Sequence, residues 1–172
     1  MARRRPRTPP SFAFEDNPSS KFGIIYADLL KSQRFQSLTG PAKLLYISCC
    51  VHSHTDECLK TLFNAVSELD RNLNLNTPLE RVREVVWKND FKFFVFPTVH
   101  YVRYGYDRKS FWKYKQELLE HGFISEAVRQ THLHRVTIYC FSRNWKIAGW
   151  EYKRPPGDFV KPFWTKDFSS RL

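Results

Sequence analysis

The chain has 172 residues, a formal net charge of +11 and a hydrophobic fraction of 42%. This length predicts one domain, and the hydrophobic fraction is large enough for a core, which excludes collagen-like, low-complexity and wholly disordered chains. No apolar run is long enough for a membrane-spanning helix, and no apolar segment follows the basic N-terminus as in a secretory signal. The six glycines are spaced too widely for a P-loop or a GxGxxG turn.

The four cysteines include no CxxC pair, which favours reduced thiols and a cytoplasmic location. Two alternatives are open for the cluster of Cys49, Cys50, His52, His54 and Cys58. These residue types are those of a zinc site, but Cys49 and Cys50 fall in an apolar helical pattern where thiols act as small apolar side chains. We expect buried thiols here, and no metal or other cofactor.

The positive charge is concentrated in parts of the chain. Residues 22–98 carry a net charge of +1, whereas residues 1–21, 99–142 and 143–172 carry +3, +3 and +4. Basic segments beside a nearly neutral body are typical of proteins that bind nucleic acids, although basic termini can also serve solubility alone. Residues 1–20 are rich in Arg, Pro and Ser and predict a disordered basic arm.

The next elements in the chain are predicted to be one extended segment and two helices. Residues 22–26 predict a short strand or an extended segment, and residues 27–33 predict a short helix. Thr39 or Gly40 is a suitable cap for a helix over residues 41–52, which has proline in its first turn and one apolar face.

Residues 56–90 predict a helical hairpin. Asp56 is the expected cap of its first helix, and residues 77–80 (TPLE) predict a capping box at the start of the second. The charges of the hairpin nearly cancel, so it would bind phosphate poorly. We expect it to pack on the core or on a second copy of the chain, forming a homodimer.

The segment after the hairpin predicts a winged helix-turn-helix. We therefore predict an α+β fold, mainly helical, in which a winged-helix domain over residues 21–142 contains the inserted hairpin and precedes a basic aromatic C-terminal tail. The predicted order is a strand (91–96), a two-turn helix (98–104), a turn at Gly105, a longer helix (107–121) ended by Gly122, and two strands (123–128 and 135–142).

The longer helix is the predicted DNA-reading element. Phe111, Tyr114, Leu118 and Leu119 form its inner face. A helix in the major groove contacts bases with its N-terminal residues, and Arg and Gln can read guanine and adenine. An ordinary amphipathic surface helix is the alternative, with Trp112 packed against the preceding helix. The candidate DNA-binding residues on its outer side are Arg108, Lys109, Trp112, Lys113 and Gln116.

The predicted β-hairpin adds a basic tip, which could enter a minor groove or bind its phosphates. The candidate residues there are Arg129, His132, His134 and Arg135, beside Gln130. The two histidines could also be metal ligands, but a polar turn is the preferred interpretation because no further ligand stands nearby.

Residues 143–172 form the basic aromatic tail and permit two interpretations. Alternating aromatic and basic residues can stack single-stranded bases. The preferred alternative is that the aromatic side chains pack back on the domain, because many exposed aromatics would favour aggregation. The aromatic residues concerned are Trp145, Trp150, Tyr152, Phe159, Phe163, Trp164 and Phe168.

Residues 22–142 resemble the winged-helix N-terminal domain of RepA-N-type plasmid replication initiators and related small proteins of Gram-positive mobile elements. The similarity rests on the segments KFGIIYADLLKSQRFQSLTGPAKLLY, KFFVFP and GYDRKSFWKYKQELLEHGFI. It implies duplex DNA binding, commonly as dimers, with Arg108, Lys109, Trp112 and Lys113 in the recognition helix and Arg129 and Arg135 in the wing. Lys115, where many such helices have an apolar residue, and the long hairpin depart from the pattern.

The sequence thus predicts a sequence-specific double-stranded DNA-binding protein, a regulator or accessory factor of plasmid or mobile-element replication, transfer or maintenance. No catalytic motif is present, so we expect no enzyme, no membrane association and no small-molecule ligand. Two other functions are open: a single-stranded nucleic-acid binder that uses the tail, and a winged-helix protein-interaction module.

Overall fold

A computed structural model describes residues 27–88, 92–96, 105–129, 136–154 and 157–165. These residues form an α+β structure that is mainly helical and contains an antiparallel sheet, which confirms the predicted class. The predicted arm (1–20), extended segment (22–26), two-turn helix (98–104) and hairpin tip (130–135) lie outside the described residues.

The described residues form six α-helices, four strands and two 3-10 turns. The helices are α1 (Ala27–Lys31), α2 (Gln33–Ser37), α3 (Gly40–His52), α4 (Asp56–Asn72), α5 (Leu79–Trp87) and α6 (Arg108–Glu120). The strands are β1 (Phe93–Val95), β2 (Ile124–Arg129), β3 (Ile138–Phe141) and β4 (Phe159–Val160), and the 3-10 turns cover Asn144–Lys146 and Phe163–Thr165.

The strands lie in the order β1-β3-β2-β4, and each neighbouring pair is antiparallel. β2 and β3 form the predicted hairpin, with Ile124 opposite Phe141, and the register shifts between Glu126 and Val128. The strand β1, predicted from the run of phenylalanines, pairs with β3. The C-terminal tail supplies β4. The sequence pattern did not predict this strand because only two of its residues pair with β2.

The N-terminal helices agree with the prediction in part. α3 begins at the predicted cap, where the Thr39 side chain accepts from the backbone N–H of Ala42. The predicted helix over residues 27–33 is wrong in its extent, because α1 ends at Lys31. The hydroxyl of Ser32 accepts from the backbone N–H of Phe35 (3.1 Å) and starts a separate helix there.

The helical hairpin is confirmed as α4 and α5, but both predicted caps are wrong. Thr55, not Asp56, caps α4, since its hydroxyl accepts from the backbone N–H of Cys58 at 3.2 Å. Thr77 forms no capping box. Its backbone N–H donates to the Asp70 carboxylate at 2.9 Å, and α5 begins after Pro78 without a side-chain cap.

The core lies between the helices and the sheet. α4 packs on β1, and α3 packs on α6. Aromatic side chains fill the space where these layers meet: Phe123 contacts Phe35 and Tyr46 edge-on, with both ring centroids at 5.6 Å, and Trp145 stacks against it at 5.8 Å.

Part of the C-terminal tail is built into this core. Trp164 is fully buried and its indole N–H donates to Asp70 at 2.7 Å, while Phe163 stacks on Phe93 with the ring centroids 3.8 Å apart. Burial disfavours the charged form of Asp70, but the hydrogen bonds from Thr77 and Trp164 outweigh it and lower the pKa of the carboxyl group. Residues 157–165 therefore join the hairpin to the sheet.

The Trp164→Phe variant should lower the free energy of unfolding by about 1.5–3 kcal/mol, because it removes a buried hydrogen bond to a charged group. Urea denaturation followed by circular dichroism measures this change. Trp87→Phe is the matched control, since Trp87 is partly exposed and should change stability by less than about 0.5 kcal/mol. Equal effects of the two variants would show that the Trp164–Asp70 contact does not stabilise the fold.

Candidate nucleic-acid interface

The helix predicted over residues 107–121 is present as α6, and both of its ends are fixed by local chemistry. Asp107 caps the first turn by accepting from the backbone N–H of Ser110 at 3.0 Å. Gly122 follows the last turn with φ of +76°, and the backbone N–H of Phe123 donates to the carbonyl of Leu118 at 3.0 Å. A Cβ at Gly122 would lie 2.9 Å from the backbone nitrogen of Trp145, so only glycine fits here.

The inner face of α6 agrees with the prediction. Phe111, Leu118 and Leu119 are buried, and Tyr114 is half-buried with its ring edge-on to Tyr106 at 5.7 Å. The hydroxyl of Tyr106 also donates to the carbonyl of Pro41 at 3.0 Å. These contacts fix the orientation of α6 against α3.

The outer face of α6 carries the predicted cationic residues. Arg108, Lys109 and Lys113 are exposed, and 53% of Trp112 is exposed. Gln116 is half-buried, and its amide donates to Glu120 at 3.0 Å. The positive charge therefore lies at the N-terminal half of the helix, where the helix dipole adds to it.

One acidic residue of α6 is engaged away from this face. The Glu117 carboxylate accepts from the backbone N–H of Thr39 at 2.6 Å and from its hydroxyl at 2.8 Å, next to the N-terminus of α3. A carboxylate is favourable at that end of a helix because of the helix dipole. This pairing ties α6 to α3 and holds the negative charge beside the C-terminal half of α6.

Lys115 is buried beneath the outer face. Its ammonium group donates to the Tyr139 hydroxyl at 2.9 Å and lies 3.3 Å from the ring centroid of Trp112. The pKa of Lys115 is lowered to about 8, mainly because the ammonium group is buried; the Glu126 carboxylate opposes this shift, and the charges of Arg129 and Arg154 add to it. The polar residue that departs from the expected apolar pattern thus supports Trp112 from below by a cation–π contact.

Arg129 lies in a different environment from the one the sequence predicted. Its side chain is 14% exposed, and its guanidinium nitrogen lies 3.9 Å from a carboxylate oxygen of Glu126. Arg129 is therefore largely buried at the end of β2 and is not an exposed residue of the hairpin tip. We do not include it in the candidate nucleic-acid interface. The other predicted tip residues, Gln130, His132, His134 and Arg135, lie outside the described residues.

The cysteine and histidine cluster has the character of a core segment. Among the described residues, no group of three or more potential metal ligands comes together. Cys49 and Cys58 are buried, and burial raises the pKa of Cys58 and of the half-buried Cys50 to about 11. The Nδ1 atom of His54 lies 2.7 Å from the carbonyl of Cys50. Thiols with raised pKa values are poor nucleophiles at neutral pH.

The tail aromatics divide into two groups. Phe163 and Trp164 are buried in the core, so they cannot stack on bases without unfolding. Trp145 and Tyr152 are half-buried and pack against the core, with Trp145 stacked on Phe123. Trp150, Tyr152 and Phe159 are only half-buried and line a surface groove. Phe168 lies outside the described residues.

Comparison of the chain with protein-family models, curated proteins and solved structures finds no match. The resemblance to plasmid initiators therefore stays a prediction. In the part of the chain that the structure describes, no helix combines the length and the hydrophobicity needed to cross a membrane.

The Lys115→Met variant should change how stability depends on pH. The pKa of Lys115 is about 8 in the folded protein, against 10.5 for a lysine in water, so unfolding takes up a proton between these values. The free energy of unfolding of the natural chain should consequently rise from pH 8 to 10.5 relative to that of the variant.

Urea denaturation at half-unit pH steps measures this difference, and Lys113→Met, on the exposed face of the same helix, is the control. Parallel pH profiles for the natural chain and Lys115→Met would contradict the buried position of the ammonium group.

Proposed function

We propose that the chain binds double-stranded DNA through the outer face of α6. The observation that carries this proposal is the exposure of Arg108, Lys109 and Lys113 at the N-terminal half of a helix whose opposite face is packed into the core. A rigid helix with this arrangement meets the requirement for docking in the major groove.

The order of the strands supports a winged-helix domain. In such a domain a hairpin follows the recognition helix, and the strand that precedes the helices pairs with the second strand of the hairpin. Here β2 and β3 follow α6, and β1 pairs with β3.

The exposed side chains differ in what they would contact. Arg108 can pair with the O6 and N7 atoms of guanine, and Lys109 and Lys113 suit phosphate oxygens. Trp112 presents an apolar edge that can contact a thymine methyl group or a sugar. Gln116 would have to leave Glu120 to reach a base, so we expect it to contribute less.

The biological setting follows from the resemblance alone. A regulator or accessory factor of plasmid or mobile-element replication, transfer or maintenance fits a small cytoplasmic DNA-binding protein of this kind. A homodimer on repeated sites remains part of the proposal, with the α4–α5 hairpin as its candidate contact.

Replacing both Arg108 and Lys109 by Ala should weaken duplex binding by about 1–3 kcal/mol for each side chain that pairs with a base. Fluorescence anisotropy with a labelled random-sequence duplex at low salt, and with a selected site, measures the two affinities. The slope of log affinity against log salt should also become shallower, because fewer counterions are released.

Lys60→Ala is the matched control, since Lys60 is an exposed cation on α4, away from the proposed surface. Its affinity should equal that of the natural chain. Unchanged binding by the double variant would refute α6 as the reading element, and no binding of any duplex at low salt would favour the protein-interaction module.

A further inference from the structure

A segment of the C-terminal tail lies beside α6. The Tyr152 hydroxyl donates a hydrogen bond to the Glu126 carboxylate on β2, which fixes this part of the tail against the sheet. The guanidinium group of Arg154 interacts electrostatically with both Tyr152 and the Lys115 ammonium group, so it lies near both. Arg154 itself is exposed to solvent. The tail therefore brings an exposed cation to the side of α6.

The charges around the Lys115 ammonium group do not balance. Among the described residues, the charged groups that act on it are the Glu126 carboxylate and the guanidinium groups of Arg129 and Arg154. Even without Arg129, the two cations Lys115 and Arg154 outnumber the single carboxylate. Lys115 is buried, so water screens its charge poorly. The excess of positive charge favours an anion from outside the chain.

Trp112 connects this group of charges with the outer face of α6. The Lys115 ammonium group lies 3.3 Å from the Trp112 ring centroid, and 53% of Trp112 is exposed. Arg108 and Lys109 precede Trp112 by four and three residues, so they are its neighbours on the helix surface. The exposed cations of α6 and the exposed Arg154 therefore lie around Trp112 on one surface.

The chemistry of Arg154 suits a phosphate group of a DNA backbone. Its planar guanidinium group can form two parallel hydrogen bonds to phosphate oxygens. A residue outside the reading helix that binds a phosphate fixes the register and orientation of that helix on the duplex. Two acidic residues of the described part of the tail, Glu151 and Asp158, are not among the groups that act on Lys115, so they do not offset its charge.

We propose that Arg154 is a further duplex contact and binds a backbone phosphate beside the groove that α6 reads. This inference rests on the proposed function of α6 and adds the C-terminal tail to the DNA-binding surface. Lys115 lies beneath this surface and attracts the phosphate through its charge without touching it. Because every sequence has the same backbone, the contact should add affinity without sequence preference.

Arg154→Ala should weaken duplex binding by the full chain about threefold to tenfold, and equally for a selected site and a random-sequence duplex. Fluorescence anisotropy between about 50 and about 200 mM salt measures both affinities. The slope of log affinity against log salt should become shallower by about 0.9, the value for one phosphate contact. Arg154→Lys keeps the charge and should keep the slope of the natural chain.

Lys146→Ala is the matched control, because it removes one exposed cation from the same tail at a different place. Lys146 follows Trp145, whose backbone lies next to Gly122 beyond the C-terminal end of α6. Exposed charges more than about 10 Å apart are largely screened at 0.1 M salt, so this variant should change affinity by less than about twofold. Its salt slope should equal that of the natural chain.

The outcomes separate this inference from the proposed function. If the natural chain binds no duplex at low salt, both are refuted. If it binds, and the loss of Arg108 and Lys109 weakens binding while Arg154→Ala keeps the natural affinity and slope, only the tail contact is overturned. Equal losses in Arg154→Ala and Lys146→Ala would also overturn it, because they would reflect net charge alone. A loss confined to the selected site would do so as well, since it would indicate a base contact.

Discussion

The packing of α6 against α3 and the sheet is the constraint on which the rest of the structure depends. The buried side chains of Phe111, Leu118 and Leu119 fix the helix from behind, and Glu117 ties it to the N-terminus of α3 through Thr39. Because these contacts use the inner face and an acidic residue, the outer face keeps its cationic side chains in solvent. The proposed interface is thus a consequence of how the core is packed.

A buried polar layer connects this helix with the rest of the sheet. Lys115 contacts Tyr139 on β3, and Tyr139 lies opposite Glu126 on β2. Burial of charged groups destabilises a fold unless they are paired, so this layer has an energetic cost. The same layer supports the exposed Trp112 from below and contains the buried carboxylate of Glu126. The contact between Lys115 and Trp112 gives a physical reason for a lysine at a position where the resemblance implies an apolar residue.

Periodicity and caps predicted much of the fold because they are local properties. The spacing of apolar residues located α3, α4, α5 and α6, and Asp107 with Gly122 gave the ends of α6. Two local expectations were wrong. Thr77 binds Asp70 on α4 instead of capping α5. Ser32 caps a separate helix at Phe35 and so interrupts the predicted first helix. The pairing of β4 depends on a distant strand, and the contact between Trp164 and Asp70 joins residues 94 positions apart, which no local pattern could show.

The candidate site was predictable to a similar degree. Helical spacing separated the exposed Arg108, Lys109 and Lys113 from the buried face. It did not show that Arg129 would be largely buried beside Glu126, because Arg129 also pairs with Phe159 of β4, which is distant in sequence. Nor did it show the groove, since Trp150, Tyr152 and Phe159 were indistinguishable in sequence from the aromatics that enter the core.

Selection from a random duplex library by the full chain, followed by sequencing, tests the central claim most directly. If the outer face of α6 reads DNA, the natural chain should enrich a defined motif, and a chain with Arg108 and Lys109 replaced by Ala should fail to enrich it. A library that remains unenriched after selection at low salt, or the same motif enriched by both chains, would contradict the account.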